Sequence, residues 1–103
     1  MATALITGGT SGIGAEFALQ LAQSGTNIVI VARDEKRLLA TATQLHAEYG
    51  ITVETISADL AVRDDVMRIA ERLTDDSRPI DIFVNNAGFG VHARLTAEAD
   101  LPV

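Results

Sequence analysis

Two hydrophobic periods alternate along this chain. Apolar residues crowd into short runs at Ala4-Leu5-Ile6, Asn27-Ile28-Val29-Ile30-Val31, Thr52-Val53-Glu54-Thr55-Ile56 and Asp81-Ile82-Phe83-Val84. These read as strands, three of them nearly continuous in apolar residues, as expected of strands buried on both faces. Between them run helical stripes at i, i+4, i+7 or i+8: Ile13, Phe17 and Leu21; then Leu38, Ala42, Leu45 and Tyr49; then Val62, Val66, Ile69 and Leu73. Gly25 and Gly50 stand where a helix ends in a left-handed residue, and Asp34 is placed to cap the second helix. The third helix lacks a Ser or Thr cap at Ala61, which predicts a late start near Asp64. The resulting β-α-β-α-β-α-β order predicts an α/β fold, a doubly wound parallel sheet with right-handed crossovers and strand order 3-2-1-4. In that order the fourth strand leaves Ile82, Phe83 and Val84 on an apolar edge, a liability for an isolated chain. Val91 to Val103 has weak periodicity and reads as the start of an element, and no linker, repeat or second domain is indicated.

Thr7-Gly8-Gly9-Thr10-Ser11-Gly12-Ile13-Gly14 lies between the first strand and the first helix. A strand turning abruptly into a helix presents free N–H groups and a positive dipole end at the turn, which suits a pyrophosphate. Gly8 permits the tight turn, Gly12 lets the backbone approach the diphosphate, and Gly14 lets the helix lie close to the strands. Thr10 and Ser11 can add hydroxyl hydrogen bonds. Glycines that merely punctuate a turn are the bland alternative, but this loop follows a strand, opens a helix and begins a βαβ unit.

The spacing Thr-Gly-x-x-x-Gly-Ile-Gly, with Asn85-Asn86-Ala87-Gly88 after the fourth strand and Asp59-Leu60 after the third, resembles the short-chain dehydrogenases/reductases from residue 3 to about residue 92. The resemblance implies a Rossmann fold of the ordinary-length type, of which residues 1–103 would be the N-terminal portion of one NAD(P)-binding domain, an incomplete half of the full fold. It further implies that Asp59 accepts from the adenine amino group while the Leu60 backbone borders the ring. Asn86, Ala87 and Gly88 would line the adenine ribose and the approach to the nicotinamide, with Ile13 among the cofactor-binding residues of the glycine loop. Asp59 as a helix-flanking carboxylate, and Asn85 and Asn86 as supports of the sheet, are the competing structural readings. An enzyme that binds NAD ordinarily ends its second strand in Asp or Glu, whereas Ala32-Arg33 stands here, and Arg33 can fork onto a 2′-phosphate. NADP(H) is therefore expected in preference to NAD(H), unless Arg33 merely joins the solvated cluster of Asp34, Glu35, Lys36 and Arg37.

Family members use a Tyr-x-x-x-Lys pair with a preceding Ser to move the proton that accompanies hydride transfer between the nicotinamide and a carbonyl or alcohol carbon. Here Tyr49 is followed four positions later by Val53, and Lys36 lies upstream, so no catalytic residue is assigned and the chain is expected to be inactive alone. The parent enzyme is expected to act on a small-molecule substrate and to be a homo-oligomer through a C-terminal half that would lie beyond Val103. A non-catalytic nucleotide-binding or sensor module remains the alternative. A methyltransferase that uses such a loop for adenosylmethionine is disfavoured by Arg33 and the Asn-Asn-Ala-Gly run.

Composition narrows this further. With 48% hydrophobic and 21% charged residues the chain is an ordinary globular one, not a disordered one. A net charge of −6 disfavours nucleic-acid and anionic-membrane partners, so any anion must be met by a local basic spot. No cysteine is present, which excludes thiolate catalysis, zinc-thiolate sites and disulfides. His46 and His92 lack metal-site spacing, and Asp64-Asp65 and Asp75-Asp76 read as helix-end or solvated charges. A cytoplasmic location is expected from the lack of a membrane-length apolar run or a charged leader.

Overall fold

The computed structural model describes residues 2–10 and 12–86. The elements follow the alternating pattern: β1 (Thr3–Thr7), α1 (Gly12–Gln23), β2 (Asn27–Ala32), α2 (Glu35–Tyr49), β3 (Val53–Ser57), α3 (Arg63–Leu73) and β4 (Ile82–Asn85). The four strands form one parallel sheet in the order β3-β2-β1-β4. β1 is central, pairing Leu5 with Val29 on one side and with Phe83 on the other.

Successive strand residues face opposite sides of the sheet, so a strand covered on both faces must be apolar at every position. In β2, Ile28 and Ile30 join Ala18, Ala22, Leu38 and Leu45 beneath α1 and α2, while Val29 and Val31 join Leu5, Ala58 and Ile69 beneath α3. Two cores result, one on each face. Asp34 caps α2 through Oδ1, which accepts from the Arg37 amide at 3.2 Å, and Gly50 ends that helix at φ 71° with its N–H donated to the His46 carbonyl. His46 Nδ1 lies 2.8 Å from the Ile51 carbonyl oxygen, so this ring locks the exit from α2. Gly25, at φ 85°, makes the corresponding turn after α1.

The first helical stripe differs from its expectation. The face of α1 that is fully buried is Gly14, Ala18 and Ala22; Phe17 and Leu21 pack at its flanks, and Ile13 is 65% exposed. Large apolar side chains signal burial, but α1 approaches the sheet too closely to accommodate them on its inner face. The third stripe differs at its start. α3 begins at Arg63 with Val62 as a cap that supplies no side-chain bond, and Val62 and Val66 are exposed, while Ile69 is buried. The buried partner that the stripe omitted is Arg72. Its guanidinium donates to both Glu54 carboxylate oxygens at 3.0 to 3.2 Å and to the Arg78 carbonyl at 2.7 Å, clamping edge strand β3 to the end of α3. The expectation for Val91 to Val103 lies outside the described residues.

Candidate functional site: a cleft at the C-terminal ends of the strands

From β1 the chain runs through α1 to β2 on one side, whereas the crossover through α3 carries it to β4 on the other. Such a reversal opens a crevice at the carboxyl ends of the strands. Here it is a cleft of about 1260 Å³, bordered by Gly8 and Thr10 after β1, Arg33 and Asp34 after β2, Asp59 and Leu60 after β3, and Asn85 at the end of β4.

The glycine loop forms the floor of its mouth. Gly8 has φ 69° and donates its N–H to the Val31 carbonyl at 2.8 Å, which pins the turn to β2. Gly12, the first residue of α1, has φ 59°, and a Cβ built on it would meet no atom within 4 Å. Among the described residues nothing fills that space, so the glycine leaves room beside the first turn of α1, where a helix ordinarily has unpaired amides. Room beside a glycine at a helix start is what an anionic group requires there. Gly14 is the opposite case: a Cβ there would overlap the Gly8 carbonyl group and come within 2.7 Å of Asn86 Nδ2. Thus α1 rests directly on the loop. Gly9, without a role in the sequence analysis, is packed as well, since its Cβ would lie 2.9 Å from Ile30 Cγ2.

Thr7 ties the loop to β4. Its buried hydroxyl donates to Asn85 Oδ1 at 3.0 Å and accepts from the Asn86 amide at 2.9 Å. Asn85 and Asn86 therefore support the junction of loop and strand. Thr7 was legible as the first residue of the Thr-Gly-x-x-x-Gly-Ile-Gly spacing, but its tie to β4 was not.

At the end of β2 the chemistry is cationic. Arg33 and Arg37 both border the cleft and neither enters an ion pair among the described residues, while Asp34, next to Arg33 in sequence, caps α2. Arg37 was not singled out by the sequence, because its place on the cleft wall depends on how α2 starts.

At the end of β3, Asp59 Oδ1 accepts from the Ala61 amide at 2.9 Å, leaving Oδ2 without a partner among the described residues. The Asp59 amide donates to Asp65 Oδ2 at 2.8 Å. That backbone bond, aided by the Arg68 guanidinium, holds the Asp65 carboxyl below the usual carboxylate range. Leu60 lies beside Asp59 on the cleft wall. Of the other expected site residues, Thr10 borders the cleft, and Ile13 is exposed at the start of α1, where only its backbone can serve the loop. Ser11, Ala87 and Gly88 lie outside the described residues, as does His92. Among the described residues no three His, Cys, Asp or Glu side chains are grouped to hold a metal ion, and no helix is long and apolar enough to cross a membrane.

Comparison with known proteins agrees with this geometry. A very-long-chain 3-oxoacyl-CoA reductase of Laccaria bicolor is 38% identical over 101 residues, covering 98% of this chain and 30% of that protein. Among solved structures, a short-chain dehydrogenase from Sphingobium yanoikuyae in complex with NADPH superposes with a TM-score of 0.82 at 44% identity, covering 96% of this chain and 40% of the other. A bulky-bulky ketone specific alcohol dehydrogenase from Comamonas testosteroni gives 0.81 at 40% identity, covering 96% and 41%. The chain spans between 25% and 40% of the length of curated relatives that it matches. The short chain dehydrogenase profile matches residues 2–101, and this chain belongs to that family of oxidoreductases.

Proposed function

We propose that this chain is the NADP(H)-binding portion of an oxidoreductase that moves a hydride between the nicotinamide and a carbonyl or alcohol carbon. The observation that carries the cofactor choice is the charge at the end of β2: two guanidiniums, Arg33 and Arg37, border the cleft, neither in an ion pair among the described residues, and Asp34 beside them accepts the Arg37 amide as the α2 cap. A ribose 2′-hydroxyl is ordinarily met there by a free carboxylate, and a 2′-phosphate by arginine, whose planar fork suits its oxygens. The solved relative in complex with NADPH supports the same choice.

In this reading the first-turn amides of α1, with the hydroxyls of Thr10 and Ser11, hold the diphosphate across Gly12. Asp59 accepts from the adenine amino group through its unused Oδ2, and Leu60 borders the ring. Asn86, Ala87 and Gly88 line the adenine ribose and lead toward the nicotinamide. When bound, the nicotinamide supplies or accepts the hydride, while the residues of this chain bind and orient it. The reductases and the ketone-specific dehydrogenase among its relatives support a carbonyl or alcohol substrate.

Titration of the full chain with NADPH and NADH tests the assignment. NADPH is expected to bind at least about tenfold more tightly, the worth of one charge-assisted hydrogen bond. Arg33→Asp should erase or reverse that preference. An unchanged ratio of dissociation constants in Arg33→Asp would refute it.

A further inference from the structure

Between β3 and α3 the chain makes a bend that forms one wall of the cleft. Val62, the α3 cap, contributes no side-chain bond to this bend; its amide donates to the Asp59 carbonyl at 2.9 Å, and the Ala58 amide ties the end of β3 to the Ala32 carbonyl at 2.9 Å. A carboxylate at the third position of a helix ordinarily reaches back to the amide of the cap residue. Asp65 occupies that position in α3 but reaches farther, past Val62, to the amide of Asp59 at 2.8 Å.

Arg68 completes the arrangement one turn along the helix. Its Nη1 donates to Asp65 Oδ1 at 3.0 Å and to the carbonyl of Ser57, the last residue of β3, at 3.3 Å. The pair therefore grips both ends of the segment Ser57 to Asp59. With its main chain so held, Asp59 folds Oδ1 onto the Ala61 amide at 2.9 Å and leaves Oδ2 without a partner among the described residues. The charge of Asp65 is compensated by Arg68, so it does not set a second bare anion beside Asp59.

We infer that Asp65, braced by Arg68, is a positioning residue for adenine recognition: its carboxylate fixes the Asp59 backbone and thereby the place of the Asp59 oxygen that accepts from the 6-amino group. This rests on the reading of Asp59 given above. The side chains of Asp65 and Arg68 are 24% and 52% exposed, so the pair contributes little to global stability, and its effect falls on the local geometry of the bend.

The test compares NADP+ with its deaminated, hypoxanthine-bearing analogue, which lacks the amino donor, by calorimetric titration of the full chain. Wild type should prefer the adenine nucleotide at least about fivefold, within the range of one hydrogen bond. Asp65→Ala should bring the ratio to within about twofold while the melting temperature moves by only a few degrees. Asp65→Asn, which keeps an acceptor oxygen, should restore most of the preference. If Asp65→Ala retains the wild-type ratio, even with weaker binding or a lower melting temperature, Asp65 is a helix-end carboxylate and nothing more. If wild type itself fails to discriminate, the role of Asp59 falls, and the inference with it.

Discussion

Replacing Gly14 by alanine sets two effects of opposite sign against each other. Within a helix, alanine is favoured over glycine by roughly 0.5 to 1 kcal/mol, chiefly because glycine loses more conformational freedom on folding. Against that stands the contact between α1 and the glycine loop, where the new methyl would overlap the Gly8 carbonyl and press on Asn86 Nδ2 at 2.7 Å. The carbonyl cannot turn away cheaply, since Gly8 is held at φ 69° and its amide is bonded to Val31 at 2.8 Å. The strain is relieved instead by lifting α1, which loosens Ala18 and Ala22, each 1% exposed in the native packing. Overpacking of this kind costs about 1 to 3 kcal/mol, and with rigid backbone on one side the upper end applies. The net expectation is a loss of about 2 kcal/mol, or roughly 10 °C in melting temperature for a domain of this size. Thermal unfolding of the full chain followed by circular dichroism measures it. A melting temperature equal to or above that of wild type would show that the helix does not rest on the loop as described.

Gly12→Ala should behave differently. The site has room but φ is 59°, so the stability cost is only the left-handed strain of about 1 to 2 kcal/mol, whereas the methyl enters the diphosphate mouth and NADPH affinity should fall roughly 10- to 100-fold by calorimetry. Unchanged affinity would place the diphosphate elsewhere. Acid stability should report Asp75, whose carboxyl is brought down from 3.8 to about 2, first by the Ser77 hydroxyl at 2.6 Å and amide at 3.0 Å, then by Arg78. A lowered carboxylate stabilises the fold above the unfolded value and loses that contribution as pH falls through the folded one. The melting-temperature advantage of wild type over Asp75→Asn should therefore be constant above about pH 4 and shrink between pH 4 and 2, and a constant difference down to pH 2 would contradict the assignment.

What the sequence made legible was what local pattern determines. The alternation of strands and helices dictated the 3-2-1-4 sheet because right-handed crossovers leave few arrangements. Asp34 and Gly50 declared the ends of α2, since capping is settled within a few residues. Hidden features depend on distances that only the folded chain fixes. Ile13, Phe17 and Leu21 outweighed Gly14, Ala18 and Ala22 because hydrophobic size is visible in a sequence, and the closeness of a helix to its sheet is not. The burial of Arg72 required Glu54, 18 positions earlier on another element. Thr7 reached its role through Asn85 and Asn86, 78 and 79 positions away. Asp65 was legible as a helix-end charge but not as a partner of the Asp59 amide, because the bend between them has no periodicity to read.

In the proposed function, backbone amides at the head of α1 receive a diphosphate. Two-dimensional nitrogen–proton spectra of the full chain, recorded as NADP+ is added, observe those amides individually. The largest shifts should fall on Gly12, Ile13 and Gly14, with smaller ones at Arg33 and Asp59. Saturating nucleotide that perturbs other regions and leaves those three amides unmoved would place the diphosphate away from α1.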